Sequence, residues 1–148
     1  MNTERIRVVI ADAGYEMLAR QLESYNGERF DVVSCTADGN EVYDLVIESR
    51  PDVLLMDVFI TNVDGLEVLE QLRENEELEN LRIVFLSTVG SSRIINMAFN
   101  LGADYYVMKP CNPKVLAKRI IQIAELSKVG EPERADDTDD KDLPADNV

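Results

Sequence analysis

Apolar residues along the chain fall into short runs that alternate with longer segments of helical period. A continuous run such as Val53–Met56 is typical of a strand whose two faces are both covered, as in a parallel sheet. Between the runs, apolar residues recur about every three to four positions, which predicts amphipathic helices. The pattern predicts five strands, each followed by a helix, at residues 7–11, 30–35, 53–56, 83–86 and 105–108.

The predicted helices have an apolar face and, in several cases, a recognisable end. The second, about 40–49, stops before Pro51, because proline disfavours helical geometry in the residue ahead of it. The fourth, about 92–101, ends at Gly102, and the fifth begins with Asn112 as cap and Pro113 at its first position. The helix residues predicted to face the core are Leu18, Leu22, Tyr25, Val42, Leu45, Val46, Leu66, Leu69, Leu72, Val115, Leu116, Ile120 and Ile123.

Alternation of strands and helices favours an α/β fold with a parallel sheet, right-handed crossovers and helices on both faces. Among the topologies of this kind we predict a doubly wound, flavodoxin-like sheet with strand order 2-1-3-4-5 and five helices. In such sheets ligands bind beyond the C-terminal ends of the strands, at the point where the strand order reverses. Here that point lies between strands one and three.

Length and charge indicate one folded domain with an acidic tail. The 148 residues suit one domain with a single core, assigned to residues 1–127, and residues 128–148 are predicted to be a disordered tail or linker. The net charge is −14, and residues 131–148 hold eight acidic and two basic side chains. An acidic protein repels a phosphate backbone, so direct nucleic-acid binding by this chain is not expected.

Several other classes of protein are made improbable by composition. The chain has no histidine, and Cys35 and Cys111 lack metal-ligand spacing, which argues against a zinc site and predicts two free thiols. No apolar run approaches the roughly 20 residues of a membrane-spanning helix, and the N-terminus lacks the pattern of a secretory signal. We therefore expect a cytoplasmic protein without membrane contact.

Four polar residues follow strands one, three, four and five. These are Asp12, Asp57, Ser87 and Lys109, and parallel strands bring all four to one edge of the sheet. Taken singly, each is more often a helix cap or a turn former. Together, two carboxylates can hold a divalent cation, while a lysine and a hydroxyl can receive the oxygens of an anion beside it.

Over about residues 5–126 the sequence resembles the receiver domains of two-component response regulators. The resemblance is carried by the stretches Val8–Asp12, Pro51–Asp57, Asp64-Gly65, Phe85–Ser87, Leu101–Tyr106 and Lys109-Pro110. It implies that Asp57 accepts a phosphoryl group from a phosphohistidine of a histidine kinase or phosphotransfer protein. Such a domain is a signalling switch rather than an enzyme with a separate substrate.

The same resemblance implies roles for the neighbouring residues. Asp12, Asp57 and the backbone carbonyl of Phe59 would hold Mg²⁺, and Lys109 and Ser87 would bind the phosphoryl oxygens. Tyr106 matches the aromatic residue that swings inward when the Ser87 hydroxyl moves; without the resemblance, a half-buried strand aromatic would be the simpler interpretation. The output is expected on the face formed by helix four, strand five and helix five, which also makes a homodimer through that face an option.

Three positions depart from the family pattern. Ala13 stands where the family has a second acidic metal ligand, Thr61 where proline is usual, and Thr88 where a small alanine lies beside the phosphoryl site. The loss of one charged ligand predicts weak Mg²⁺ binding and slow or metal-demanding phosphorylation. A degenerate pseudo-receiver, which acts through protein contacts without phosphate, is therefore the main alternative.

The residues argue against two other chemistries. A dehalogenase-type phosphatase needs a second acid two residues after its aspartate, where this chain has Phe59. A flavodoxin-like electron carrier needs a phosphate loop rich in small polar residues after strand one, and 12–15 does not supply it. The cognate kinase and the output are not specified by the sequence. No DNA-binding effector follows residue 126, so either a stand-alone receiver or part of a longer regulator is expected.

Overall fold

The computed structural model describes residues 4–25 and 28–129, which form a five-stranded parallel sheet with order β2-β1-β3-β4-β5. The predicted strand order is thus confirmed. A short 3-10 helix, Glu76–Leu78, was not predicted. The strands are β1 (Ile6–Ala11), β2 (Phe30–Thr36), β3 (Val53–Met56), β4 (Arg82–Ser87) and β5 (Tyr105–Met108), and the helices are α1 (Tyr15–Glu23), α2 (Gly39–Ser49), α3 (Gly65–Arg73), α4 (Ser92–Leu101) and α5 (Pro113–Val129).

The sheet separates two apolar layers, one on each face. One layer packs α2, α3 and α4 against the sheet through residues such as Val42, Val68 and Ala98. The other packs α1 and α5 through Leu22 and Ile120. Strand β3 is buried at all four positions because both of its faces are covered. Its C-terminal end therefore meets solvent only at the sheet edge.

Helix ends follow the local chemistry of the sequence. Arg50, the residue before Pro51, ends α2 in the left-handed region at φ 52°, and Gly102 ends α4 at φ 115°. The Asn112 side chain accepts a hydrogen bond from the Lys114 amide at 2.8 Å, as expected of a cap. Asn112 thus bounds the connection from β5 to α5, which contains Lys109.

Some sequence predictions need correction. Val115 is 47% exposed, because the buried stripe of α5 runs through Leu116, Ile120 and Ile123, and Val115 lies beside that stripe. Tyr25 lies beyond the end of α1 but still reaches the core, with its ring centroid 6.4 Å from that of Phe30. The side chains of Leu18, Leu45 and Leu66 are only partly buried.

The predicted tail and the domain boundary stay predictions. Helix α5 extends to Val129, two positions past the predicted boundary, and residues 130–148 lie outside the described part of the chain. Within the described residues, no helix is both long and apolar enough to cross a membrane.

Gly65 is needed where α3 begins, directly behind Asp57. A Cβ at this position would lie 2.6 Å from the Asp57 carbonyl oxygen and 2.9 Å from a ring carbon of Phe85. Backbone atoms cannot give way as a flexible side chain can, so Gly65→Ala is expected to lower the free energy of unfolding by about 1–3 kcal/mol. Urea denaturation measures this change.

Gly14→Ala provides the comparison, since its Cβ would meet only an Asp12 side-chain oxygen at 3.4 Å, an ordinary contact. We expect this variant to lose less than half as much stability. Equal losses in the two variants would show that crowding at Asp57 is not the cause.

Candidate functional site

Three polar residues are held at the C-terminal edge of the sheet by hydrogen bonds that continue the strand ladder. The amide of Asp12 donates to the carbonyl of Thr36 at 2.9 Å, and the amide of Asp57 donates to the carbonyl of Ala11 at 2.9 Å. The amide of Lys109 donates to the carbonyl of Ser87 at 2.8 Å. Each residue lies just after its strand, yet its backbone is still fixed by the neighbouring strand, so the register of the sheet places all three side chains.

Asp57 lies at the centre of the site and its carboxylate is partly accessible. Oδ1 accepts a hydrogen bond from the Phe59 amide at 3.0 Å, and Oδ2 accepts one from Nζ of Lys109 at 2.9 Å. The side chain is 15% exposed, so it is oriented by two donors without being sealed. An incoming electrophile can therefore reach a carboxylate of fixed orientation.

Asp12 is almost fully buried beside Asp57. Its Oδ1 accepts a hydrogen bond from the Gly14 amide at 2.7 Å. Nζ of Lys109 lies 2.8 Å from Oδ2, but the alignment of this ion pair falls short of a hydrogen bond, and the oxygen has no other partner. A buried carboxylate oxygen without a hydrogen bond is costly unless a cation offsets its charge. Lys109 supplies that cation here.

The environment of Lys109 favours its charged form. Burial alone lowers the pKa of its ammonium, but contacts with Asp12 and Asp57 outweigh burial and raise the pKa above its ordinary value of 10.5. The ammonium therefore contributes stability that is fully present below about pH 10.5 and is lost as the pH rises through the higher folded-state pKa.

Ser87 and Tyr106 form a second group next to this cluster. Ser87 is the last residue of β4 rather than the residue after it, and its Oγ accepts a hydrogen bond from the Val89 amide at 3.1 Å. The Tyr106 ring is fully buried, and its hydroxyl donates to the Val89 carbonyl at 2.5 Å. Burial raises the pKa of Tyr106, a hydrogen bond with Ser87 lowers it, and the charge of Asp57 raises it further. The Ser87 hydroxyl thus contacts Val89 and Tyr106.

The positions that depart from the family pattern differ in what they contact. Ala13 and Thr88 are exposed and add no charged group to the site. Thr61 has a structural role that was not foreseen, because its hydroxyl donates to the Ala37 carbonyl at 2.8 Å. The neighbouring Asn62 donates to Asp38 at 2.8 Å, which lowers the pKa of that carboxyl group. These bonds join the loops after β2 and β3.

The donor atoms available to a divalent cation are few. Asp12 and Asp57 supply two carboxylates, and among the described residues no group of three or more His, Cys, Asp or Glu could hold a metal ion. Oδ2 of Asp12 accepts no hydrogen bond, but Nζ of Lys109 lies 2.8 Å from it. Mg²⁺ can fill other positions with water, so the residues fit a cation that is held by two charged ligands only.

Comparison with known proteins settles the family. Residues 8–121 match the sequence profile of the response regulator receiver domain. The chain belongs to this family. Receiver domains work in two-component signalling, where their partners are histidine kinases or phosphotransfer proteins, and they generally bind Mg²⁺ at the phosphorylation site.

Solved structures of receiver domains have the same fold. The signal receiver domain of NarL from Mycobacterium tuberculosis is 26% identical with a TM-score of 0.76, covering 82% of this chain and 98% of that one. The receiver domain of a modulated diguanylate cyclase from Desulfovibrio desulfuricans G20 is 25% identical with a TM-score of 0.74, and the match covers 86% of this chain and 100% of that one. A LuxR-family response regulator from Aurantimonas sp. SI85-9A1 is 25% identical with a TM-score of 0.71, covering 82% and 86%.

Two backbone groups of the receiver site were missed by sequence reasoning. The sequence indicates a role only for the Phe59 carbonyl, but the Phe59 amide donates a hydrogen bond to Asp57 and the Gly14 amide donates one to Asp12. Aspartate often accepts a hydrogen bond from the amide two residues on, so this spacing was a usable signal. The Phe59 side chain is 57% exposed.

Replacing Lys109 tests the ion pair. Lys109→Met leaves the buried Asp12 oxygen without a cation, and we expect a loss of about 1–3 kcal/mol in the free energy of unfolding at neutral pH. The difference from the native protein should stay constant up to about pH 10.5 and shrink above it. Urea denaturation from pH 7 to pH 11 measures both.

Lys114→Met is the matched control, since Lys114 is exposed and forms no ion pair with a carboxylate of the described residues. It should unfold like the native protein. A Lys109→Met variant of native stability, or a difference that does not change with pH, contradicts the assignment.

Proposed function

We propose that Asp57 accepts a phosphoryl group from the phosphohistidine of a histidine kinase or phosphotransfer protein. The observation that carries the proposal is the pairing of a partly accessible Asp57 carboxylate with the Lys109 ammonium, 2.9 Å away at the C-terminal edge of the sheet. This ammonium can exchange its ion pair with the carboxylate for one with an added phosphoryl group without leaving the site. As a compact point charge, it binds phosphate oxygens without a fixed fork geometry.

The transfer forms one bond to phosphorus and breaks another. A carboxylate oxygen of Asp57 bonds to phosphorus as the donor's phosphorus–nitrogen bond breaks, and the leaving imidazole keeps the bonding electron pair. The Phe59 amide fixes the orientation of the carboxylate, and Lys109 offsets the negative charge brought in by the phosphoryl oxygens. The product is an acyl phosphate on the domain itself, so the chain acts as a switch and not as an enzyme with a separate substrate.

Mg²⁺ belongs to this proposal as a weakly bound cofactor. Asp12, Asp57 and the backbone carbonyl of Phe59 would hold the ion, which would neutralise oxygen charge during transfer. Ala13 contributes no ligand, and the Lys109 ammonium already pairs with both carboxylates and offsets one of their two negative charges. We therefore infer that binding is weaker than in a site with three acidic residues.

Ser87 and Tyr106 are proposed to convert phosphorylation into a change of surface. Ser87 would leave the Val89 amide to donate its hydroxyl to a phosphoryl oxygen. Tyr106 contacts the same loop, because its hydroxyl donates a hydrogen bond to the Val89 carbonyl. Only contacts that differ between two conformations can shift their populations. The loop from Ser87 to Val89 is the element whose contacts would differ.

The output is proposed to lie on the face of α4, β5 and α5, as in a regulator of transcription. A symmetric homodimer through this face stays a prediction, and so do a cytoplasmic location and the absence of direct contact with nucleic acid. The sequence also resembles the receiver half of the transcription factor that controls endospore formation. That likeness assigns no further residue and stays a prediction too.

A phosphate-independent pseudo-receiver is the second candidate. The observations that favour it are the missing acidic residue at Ala13 and the inward position of Tyr106, whose ring is already buried. In that case the domain would signal through protein contacts alone.

Intact mass measurement tests phosphorylation directly. After incubation with acetyl phosphate and Mg²⁺, the chain is expected to gain about 80 Da, the mass of one phosphoryl group. Asp57→Asn should abolish the gain. Asp64→Asn, which keeps a good helix cap at the start of α3, should retain it. A folded native chain that gains no mass even at high Mg²⁺ would favour the pseudo-receiver.

Restoring an acidic residue tests the metal proposal. Ala13→Asp adds a third carboxylate beside Asp12 and Asp57, and we expect Mg²⁺ affinity to rise by about tenfold or more, roughly 1.4 kcal/mol. Isothermal titration calorimetry of the unphosphorylated domain measures the affinity, and Ala13→Asn controls for side-chain size. Equal affinities in the three proteins contradict the idea that Ala13 limits metal binding.

A further inference from the structure

Acidic and basic side chains are unevenly distributed along the described domain. Residues 31–79, from β2 through the 3-10 helix, hold fourteen acidic side chains and two arginines. Residues 80–129, from β4 through α5, hold seven basic side chains and two acidic ones. The second part is therefore cationic within a protein whose net charge is −14.

Both acidic residues of the cationic part are already neutralised by arginine. Asp104 pairs with Arg73 at 3.0 Å and with Arg82 at 3.1 Å. Glu125 pairs with Arg29 at 3.3 Å, on the side of the domain where α5 meets α1. No carboxylate of residues 80–129 is left to balance the cations on the outside of α5.

Those cations form what we call the basic face of α5, made of Lys114, Lys118 and Arg119. Lys114 and Lys118 are exposed and lie one helical turn apart, and neither forms an ion pair with a carboxylate of the described residues. The Arg119 guanidinium lies 5.5 Å from the ring centroid of Tyr105, which belongs to the edge strand β5. The basic face thus extends from the helix to the sheet edge.

A symmetric contact centred on the basic face itself is unfavourable, whereas the predicted homodimer would use the wider face of α4, β5 and α5. A two-fold axis through the basic face would bring Lys114 and Lys118 close to the same residues of a second copy, and like charges in contact are unfavourable. The surface instead fits an anionic polypeptide. One such polypeptide is covalently attached, because residues 131–142 follow α5 and contain seven acidic and two basic side chains.

We propose that the acidic segment, residues 131–142, folds back and covers the basic face of α5. Lys118 and Lys114 lie 11 and 15 residues before Val129, so at 1.5 Å per residue they are about 16–22 Å from the helix end. A chain of seven to thirteen residues spans at most about 23–45 Å, so Asp136 to Asp142 can reach both lysines. A short tether also keeps the segment at an effective concentration in the millimolar range.

This contact would regulate the domain because it occupies part of the face through which a receiver domain is proposed to act. A partner that binds α4, β5 and α5 must then displace the acidic segment. The contact is electrostatic and largely exposed, so it weakens with salt, for which the Debye length is about 8 Å at physiological ionic strength. It depends on charge alone and needs neither phosphate nor metal.

Nuclear magnetic resonance of the whole 148-residue chain tests the contact. Replacing Asp136, Asp137, Asp139 and Asp140 by asparagine should shift the backbone amide signals of the basic face, and 0.5 M salt should shift the same signals of the native chain in the same direction. The matched control, which replaces Glu70, Glu74, Glu76 and Glu79 by glutamine, removes the same charge from exposed positions near α3 and should leave these signals in place. Dispersed spectra show that each variant is folded.

Three outcomes overturn the proposal. In the first, the segment variant leaves the amide signals of the basic face in place. In the second, both variants shift these signals equally, which indicates only the general electrostatic field of the protein. In the third, the shifts grow with protein concentration, which indicates that a second copy binds the face. As a reciprocal check, Lys114→Gln with Lys118→Gln should shift the amides of Asp136 to Asp142. No phosphodonor is present, so failure here leaves the phosphoacceptor proposal untouched.

Discussion

The site depends on one ammonium group that serves two carboxylates. Lys109 places Nζ 2.8 Å from Asp12 and 2.9 Å from Asp57, and without it Asp12 would hold a buried charge with an unpartnered oxygen. The same ammonium is the only cation of the described residues in contact with Asp57. Stability and the proposed binding of a phosphoryl group therefore depend on the same interaction. A site of this kind is poised to accept negative charge, because its cation is fixed before any ligand arrives.

The sheet makes this arrangement possible, and the sheet could be predicted. Continuous apolar runs identified the strands, and β3 and β5 have the predicted bounds. Placement of Asp12, Asp57 and Lys109 at one edge follows from parallel strands alone. Their mutual distances do not, because these depend on the backbone bonds to Thr36, Ala11 and Ser87 that continue the ladder beyond the strands.

The features that escaped prediction rest on contacts distant in the sequence. Thr61 looked like a simple departure from the family pattern, yet its hydroxyl joins a loop 24 residues away. Val115 shares the apolar character of its neighbours, and only the direction of α5 relative to the sheet leaves it exposed. Ser87 was expected after strand four and is the last residue of β4, and its partner, the Val89 amide, follows from the course of the loop. Hydrophobic periodicity predicts helices and strands, but it does not predict such contacts.

The most direct measurement of the central claim is the titration of the Lys109 side chain by nuclear magnetic resonance. The account predicts a pKa above 10.5 in the native domain, falling when either Asp12 or Asp57 is replaced by asparagine. An ordinary pKa that neither replacement changes would contradict it, because the ammonium would then not be held by the two carboxylates.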